Sequence, residues 1–175
     1  MITGRALKRE EVEQVWQIDR SEVIASVYYL EAGRLILRQE YYEMTGWPPG
    51  EAATYTPLLL DCFDRGGWFY GLFDESFFVG VVVLESRFIG RNRDLLQVKF
   101  MHVSSACRGQ GVGRRLFNLA AAKARLLGAK GLYISATPSE HTINFYLHLG
   151  CVLTNDPDPE LLKLEPDDIH LEYAL

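Results

Sequence analysis

The chain holds only three cysteines among its 175 residues, Cys62, Cys107 and Cys151, far apart and with no CxxC pair. That excludes a disulfide framework and a zinc knuckle, and three reduced thiols are the plain reading. No apolar run approaches the roughly 18 residues a membrane span needs, and the stretch from Met1 to Trp16 lacks the apolar centre of a signal peptide. A soluble, cytoplasmic protein without a membrane partner is expected. Positive charge is not in excess: the formal net charge is −5, so nothing draws the whole chain to nucleic acid or anionic lipid. Any polyanion must be held locally. Repeats, low-complexity tracts and Pro/Gly/Ser-rich linkers are missing too, so residues 1–175 are expected to form one domain.

What is present is an ordinary globular composition, 48% hydrophobic and 23% charged, in readable periods. Ile2 to Leu7 reads as a strand and Lys8 to Asp19 as a helix, with Val12, Val15, Trp16 and Ile18 on its apolar side. Val23 to Tyr42 is aromatic and acidic, compatible with an amphipathic helix surface, and Gly46-Trp47-Pro48-Pro49-Gly50 stops it. Thr56-Pro57 suggests an N-cap and first helical position for a helix through Phe63. Trp68 to Phe73, Phe77 to Glu85 and Leu95 to Val103 read as an antiparallel meander, with Leu96, Val98 and Phe100 alternating onto one face. A helix from Gly113 to Leu127 and a parallel strand from Gly131 to Ala136 form a crossover. Thr137-Pro138-Ser139-Glu140 opens a helix at Pro138 that ends at Gly150. Cys151 to Thr154 is a strand, Asn155 to Asp168 a loop, and Ile169 to Ala174 the last strand. The expected class is α/β (α+β): a mixed, mostly antiparallel sheet flanked by helices, with one β-α-β crossover.

The chemistry concentrates at Val103-Ser-Ser-Ala-Cys-Arg108-Gly109-Gln110-Gly111-Val112-Gly113-Arg114, between a strand and a helix. Glycines at 109, 111 and 113 let backbone N–H groups converge, and the helix start adds partial positive charge. Arg108 and Arg114 suit a diphosphate. Tight strand-to-helix packing alone could also demand those glycines. A Walker A loop would need Gly-Lys-Ser/Thr, but Arg114 and Arg115 follow Gly113. A dinucleotide fold would need an acidic residue about 20 positions on, and Tyr133 to Ala136 has none. ATP and NAD are disfavoured.

Arg108-x-x-Gly111-x-Gly113 resembles the Q/R-x-x-G-x-G/A loop of the Gcn5-related N-acetyltransferase (GNAT) superfamily, and Phe145-Tyr146-Leu-His-Leu-Gly150-Cys151 resembles its FYxxxGF segment. The resemblance implies that the Arg108 to Arg114 segment, including Gly109, Gln110 and Val112, cradles the pyrophosphate of acetyl-CoA. It implies that Met101, His102 and Val103 pair with the pantetheine arm and offer an N–H to the thioester oxygen, and that Tyr146 protonates the departing thiolate. Ser105, Cys107 and Ser139 depart from the family's proline, aromatic and asparagine. Ser139 is retained as a cofactor contact.

The family's occasional glutamate base falls near Gln97, so Glu85 is taken as the replacement, with a solvated strand-end carboxylate as its other reading. His102 either points toward the thioester or packs against the sheet, with packing the preferred reading, and Cys107 fills a small apolar slot in preference to being an activated thiol at the helix start. His141, His148 and His170 have no ligand-like spacing, so no metal is expected. Tyr28, Tyr42 and Glu43 are the candidate contacts for a cationic amine acceptor. The reading is acetyl transfer from acetyl-CoA to a primary amine of a small molecule or peptide, with no nucleic-acid partner and with a homodimer left open. Another acyl-CoA donor, or a non-catalytic acyl-CoA sensor, are the alternatives.

Overall fold

In the computed structural model, which describes residues 1–175, the first elements are β1 (Ile2–Ala6) and a 3-10 helix (Arg9–Gln17). The helix expected over Lys8 to Asp19 is thus wound more tightly. Val12, Val15 and Ile18 are spaced three apart and each at most 1% exposed, so three residues per turn bring all of them onto one buried line.

Glu22 to Met44 is not helical. It forms β2 (Glu22–Glu31) and β3 (Arg34–Met44), an antiparallel hairpin. Ala32 and Gly33 turn it with φ of 49° and 76°, both positive, as a type I′ turn requires. The β-branched and aromatic side chains of this stretch favour strands, and a bulge disguises their alternation. Ile24 pairs with Tyr42 but Ser26 pairs with Gln39, so Glu40 and Tyr41 together oppose Ala25.

α1 (Glu51–Asp64) begins before the expected Thr56, leaving Pro57 inside the helix. Thr56 caps nothing: its Oγ1 accepts from Trp16 Nε1 at 2.9 Å. Next come β4 (Trp68–Asp74), β5 (Phe77–Ile89), β6 (Leu95–Val103), α2 (Val112–Leu126), β7 (Gly131–Ala136) and α3 (Glu140–His148). α3 starts two residues later than expected because Ser139, not Thr137, is its N-cap, with Oγ accepting from Thr142 N. β8 (Val152–Leu153), α4 (Pro159–Leu164) and β9 (Ile169–Ala174) complete the chain. α4 lies where only loop was expected, capped by Asp158, whose Oδ1 accepts from Glu160 N and Leu161 N, both at 3.0 Å.

Seven strands share one mixed sheet in the order β1-β4-β5-β6-β7-β9-β8, and only β6 and β7 run parallel. β5 is buried on both faces, which explains its unbroken apolar run. Val82 and Leu84 face a core built with Leu116, Phe117 and Ala120 of α2, whereas Val81 and Val83 face a second core with Val12, Leu59 and Cys62. β6 changes faces midway. Leu96 and Val98 enter the first core but Phe100 the second, because Leu84 pairs with Val98 while Val83 pairs with Phe100, leaving Lys99 as an extra residue. No helix is long and apolar enough to cross a membrane.

Candidate active site

The bulge at Lys99 bends β6 away from β7. The two strands pair only from Leu95–Gln97 to Gly131–Tyr133 and part beyond that point. From Val98 to Val103, β6 is paired with β5 on one side and with no strand on the other. The parting opens a cleft of about 1130 Å³, lined by Val98 to Val103, by Ser135 and Ala136 of β7, by α3 and by the hairpin. The hairpin is tied down where it crosses the foot of α3. Tyr28 N donates to Pro138 O at 2.7 Å, Val27 bridges Ser139, and Tyr28 Oη donates to Asn144 Oδ1 at 2.8 Å.

At one end of the cleft lies the glycine loop. Gly109 and Gly111 have φ of 73° and 80°, with open space where a Cβ would project. Gly113 is required for a different reason, since a Cβ there would sit 3.1 Å from the Phe145 ring. The first helical bond of α2 runs from Arg115 N to Gly111 O, and none of the N–H groups of 109 to 114 is taken by a turn or cap carbonyl. Six consecutive amides are therefore available where the helix dipole is positive, which is the physical requirement for an anion site.

The side chains of this loop divide the work. Arg108 is a cation fixed in place: its Nε donates to Val103 O at 3.0 Å and its Nη1 to Ser21 O at 3.1 Å, with Glu22 3.8 Å away. It holds the loop against β6 and the hairpin. Arg114 lines the cleft without an ion-pair partner and is the loop's available positive charge. Gln110 turns its amide back to Ala106 O at 3.0 Å, and Val112 is buried in the core, so both can contribute only their backbone.

Tyr146 lines the cleft from α3 and is 6% exposed. Burial, then the charges of Cys151 and Asp168, raises its pKa above the ordinary phenol value. It is a proton donor throughout the neutral range. His102 also lines the cleft, edge-on to Trp47 at 4.8 Å and tilted on Phe100 at 4.5 Å. Burial and the nearby Arg20 and Arg108 push its pKa down to about 3, so it is neutral. Met101 and Val103 line the cleft on either side of it. Ser139 reaches the cleft while its hydroxyl is engaged with Thr142.

Glu85 does not fit the role of base. Its carboxylate is gripped by Arg65 at 2.6 and 3.1 Å, accepts from Ser86 N at 2.9 Å, and has Lys99 Nζ at 3.7 Å. Burial alone would raise its pKa, but Arg65, the Ser86 amide and Lys99 outweigh this and bring it down to about 2. It is a weak proton acceptor, and it is not among the residues that line the cleft.

The hairpin presents Tyr28, Tyr42 and Glu40 to the cleft, whereas Glu43 points elsewhere and accepts from Tyr41 Oη at 2.6 Å. Three positions away on a bulged strand, Glu40 takes the inward position that Glu43 was expected to hold. Its carboxylate accepts from Tyr29 Oη, and from Tyr42 Oη at 2.7 Å. Those two hydroxyls lower its pKa. Sequence reasoning missed Glu40 because only the hairpin reveals which acid faces inward. It also missed Asp168, at the entry to β9, whose carboxylate lines the cleft and accepts from Ser135 Oγ at 2.9 Å.

This architecture has known counterparts, although no curated protein matches the sequence. Nourseothricin acetyltransferase superposes with a TM-score of 0.73 at 21% identity, covering 99% of this chain and 97% of the other. A Bacillus anthracis protein assigned as a streptothricin acetyltransferase, solved with acetyl coenzyme A, gives a TM-score of 0.71 at 18% identity over 100% and 98% of the chains. PaiA N-acetyltransferase from Thermoplasma acidophilum, solved with coenzyme A, gives 0.65 at 15% over 100% and 99%. These likenesses concern the fold. The sequence model of the Acetyltransferase (GNAT) family matches residues 33–151, a span that contains the glycine loop, the parted strands and Tyr146, and the chain belongs to that family.

Proposed function

We propose that this protein transfers an acetyl group from acetyl-CoA to a primary amine by direct attack in a ternary complex. The observation that carries the reading is the run of free amides from 109 to 114, whose Gly109, Gly111, Gly113 and Arg114 line the same cleft as the unpaired edge of β6 and the Tyr146 ring. The amides and Arg114 would hold the pyrophosphate. The free edge of β6 from Val98 to Val103 has the spacing to pair with the two amides of a pantetheine arm, and Met101 to Val103 would offer an N–H to the thioester oxygen as the oxyanion develops. Tyr146 would protonate the leaving thiolate. Ser139, buried beneath the crossing of hairpin and α3, would shape the wall rather than bond the cofactor.

The acceptor would enter under the hairpin, with its positive charge against Glu40 and the rings of Tyr28 and Tyr42. Two similar structures carry the names nourseothricin acetyltransferase and streptothricin acetyltransferase, which agrees with acetyl transfer as the reaction. A non-catalytic acyl-CoA sensor would share the cradle but not need Tyr146 or the acidic hairpin. Thiol release measured over a panel of mono- and polyamines and lysine peptides, with acetyl-, propionyl- and succinyl-CoA, tests the proposal. Amine-dependent release, greatest with acetyl-CoA, is the expected result. Binding of acetyl-CoA without release for any amine would favour the sensor.

A further inference from the structure

An amine arrives at neutral pH as an ammonium ion and must lose a proton before it can attack. Four carboxylates line the cleft: Glu22, Glu40, Asp167 and Asp168. Glu22 sits 3.8 Å from the Arg108 guanidinium, and Glu40 accepts from two tyrosines, which lower its pKa. Asp167 is exposed to solvent. Asp168 differs. It is half-buried where β9 begins, one residue beyond the Ala136–Ile169 pair that ends the β7–β9 ladder, and so at the place where the cleft opens. Its carboxylate accepts one hydrogen bond, from Ser135 Oγ. It also lies close enough to Tyr146 for its charge to disfavour the phenolate.

We infer that Asp168 is the proton acceptor for the attacking amine. This rests on the acetyl-transfer reading above. The ammonium gives one proton to the Asp168 carboxylate, and the freed lone pair forms the C–N bond to the thioester carbon. Collapse of the tetrahedral intermediate breaks the C–S bond. The thiolate takes the Tyr146 hydroxyl proton, and the second proton of the nitrogen returns to Tyr146. Asp168 then releases its proton to solvent, so the net products are the N-acetyl amide, CoA thiol and one proton.

The electrostatics agree with that placement. Burial raises the Asp168 pKa, while the Ser135 hydroxyl, His170 and Arg20 lower it and Asp167 raises it again; the net direction is upward. Glu165 is the other nearby acid, itself raised by burial and by Asp168. A carboxylate with a raised pKa is a better match to an amine than one near 2.

The test is the pH profile of kcat/KM in wild type, Asp168→Asn and Ser135→Ala, with acetyl-CoA affinity by calorimetry as the check on folding. Asp168→Asn should lose about 10²- to 10³-fold at pH 7. Most of that loss should be recovered toward pH 10, where amines near a pKa of about 10.4 deprotonate unaided. Ser135→Ala should keep the plateau but move the acidic limb to higher pH, since Asp168 loses a bond that favours its anion. A purely structural role would move neither limb. Retained kcat/KM within about threefold in Asp168→Asn, or an unmoved limb in Ser135→Ala, overturns the assignment while acetyl transfer stands. A wild type that transfers to no amine overturns both.

Discussion

Gly111 and Gly113 stand two positions apart and serve different ends. Gly111 keeps a left-handed turn that aims amides into the cleft, and Gly113 lets the Phe145 ring lie on α2. Gly111→Asp should therefore weaken acetyl-CoA binding by at least about tenfold, or about 1.4 kcal/mol, by placing an anion where a phosphate belongs. Calorimetry reads this directly, and unchanged affinity would remove the cradle. Tyr146→Phe keeps the ring but not the proton. Because a CoA thiolate is already a fair leaving group, with a thiol pKa comparable to about 8.5, kcat should fall near the lower end of the 10²- to 10⁴-fold range while acetyl-CoA affinity holds within a few-fold. Near wild-type kcat, with chemistry rate-limiting, would make Tyr146 a packing residue. Glu85 offers the complementary case. Its folded pKa of about 2 lies below its ordinary 4.5, so its stabilisation is complete above pH 4.5 and is lost as pH falls toward 2. Urea unfolding should show Glu85→Gln destabilised on the order of 3 kcal/mol at pH 7, a gap that closes in acid, with kcat changed only a few-fold.

Between residues and the whole, the elements divide by how far their signals are local. The helix at Val112–Leu126 and the strand at Gly131–Ala136 carried their periods and glycine punctuation in plain view. The hairpin did not. Its turn is Ala32-Gly33 rather than the Asn-Gly or Asp-Gly that announces a type I′ turn, and its bulge at Glu40–Tyr41 breaks the two-residue period. The same turn yields a test: Ala32 at φ 49° is strained, and Ala32→Asn should stabilise by roughly 0.5–1 kcal/mol. Thermal unfolding should then rise by about 1–4 °C. No gain would mean that the hairpin is not part of the cooperative unit. α1 misled because Thr56-Pro57 has the form of a helix start, while Trp16 uses the threonine for something else.

At the scale of the molecule, the two motifs could be read because each lies in one continuous segment. The acids of the cleft could not, since Glu40 on the hairpin and Asp168 beside β9 of the seven-stranded sheet come to line one opening only in the folded chain. The parting of β6 from β7 was equally hidden, for one extra residue at Lys99 has no signature in composition. A ligand that spans this opening binds only the folded chain. Acetyl-CoA at about 100 times its dissociation constant should add about 2.7 kcal/mol and raise the melting temperature by roughly 5–10 °C. The unpaired flank of β6 has a consequence for exchange with deuterated solvent. Amides of Val98 to Val103 that face the opening should exchange quickly in the free protein, while those bonded to β5 stay protected. Bound acetyl-CoA would occupy that flank as an eighth strand does, and the fast amides should slow to the rate of their neighbours.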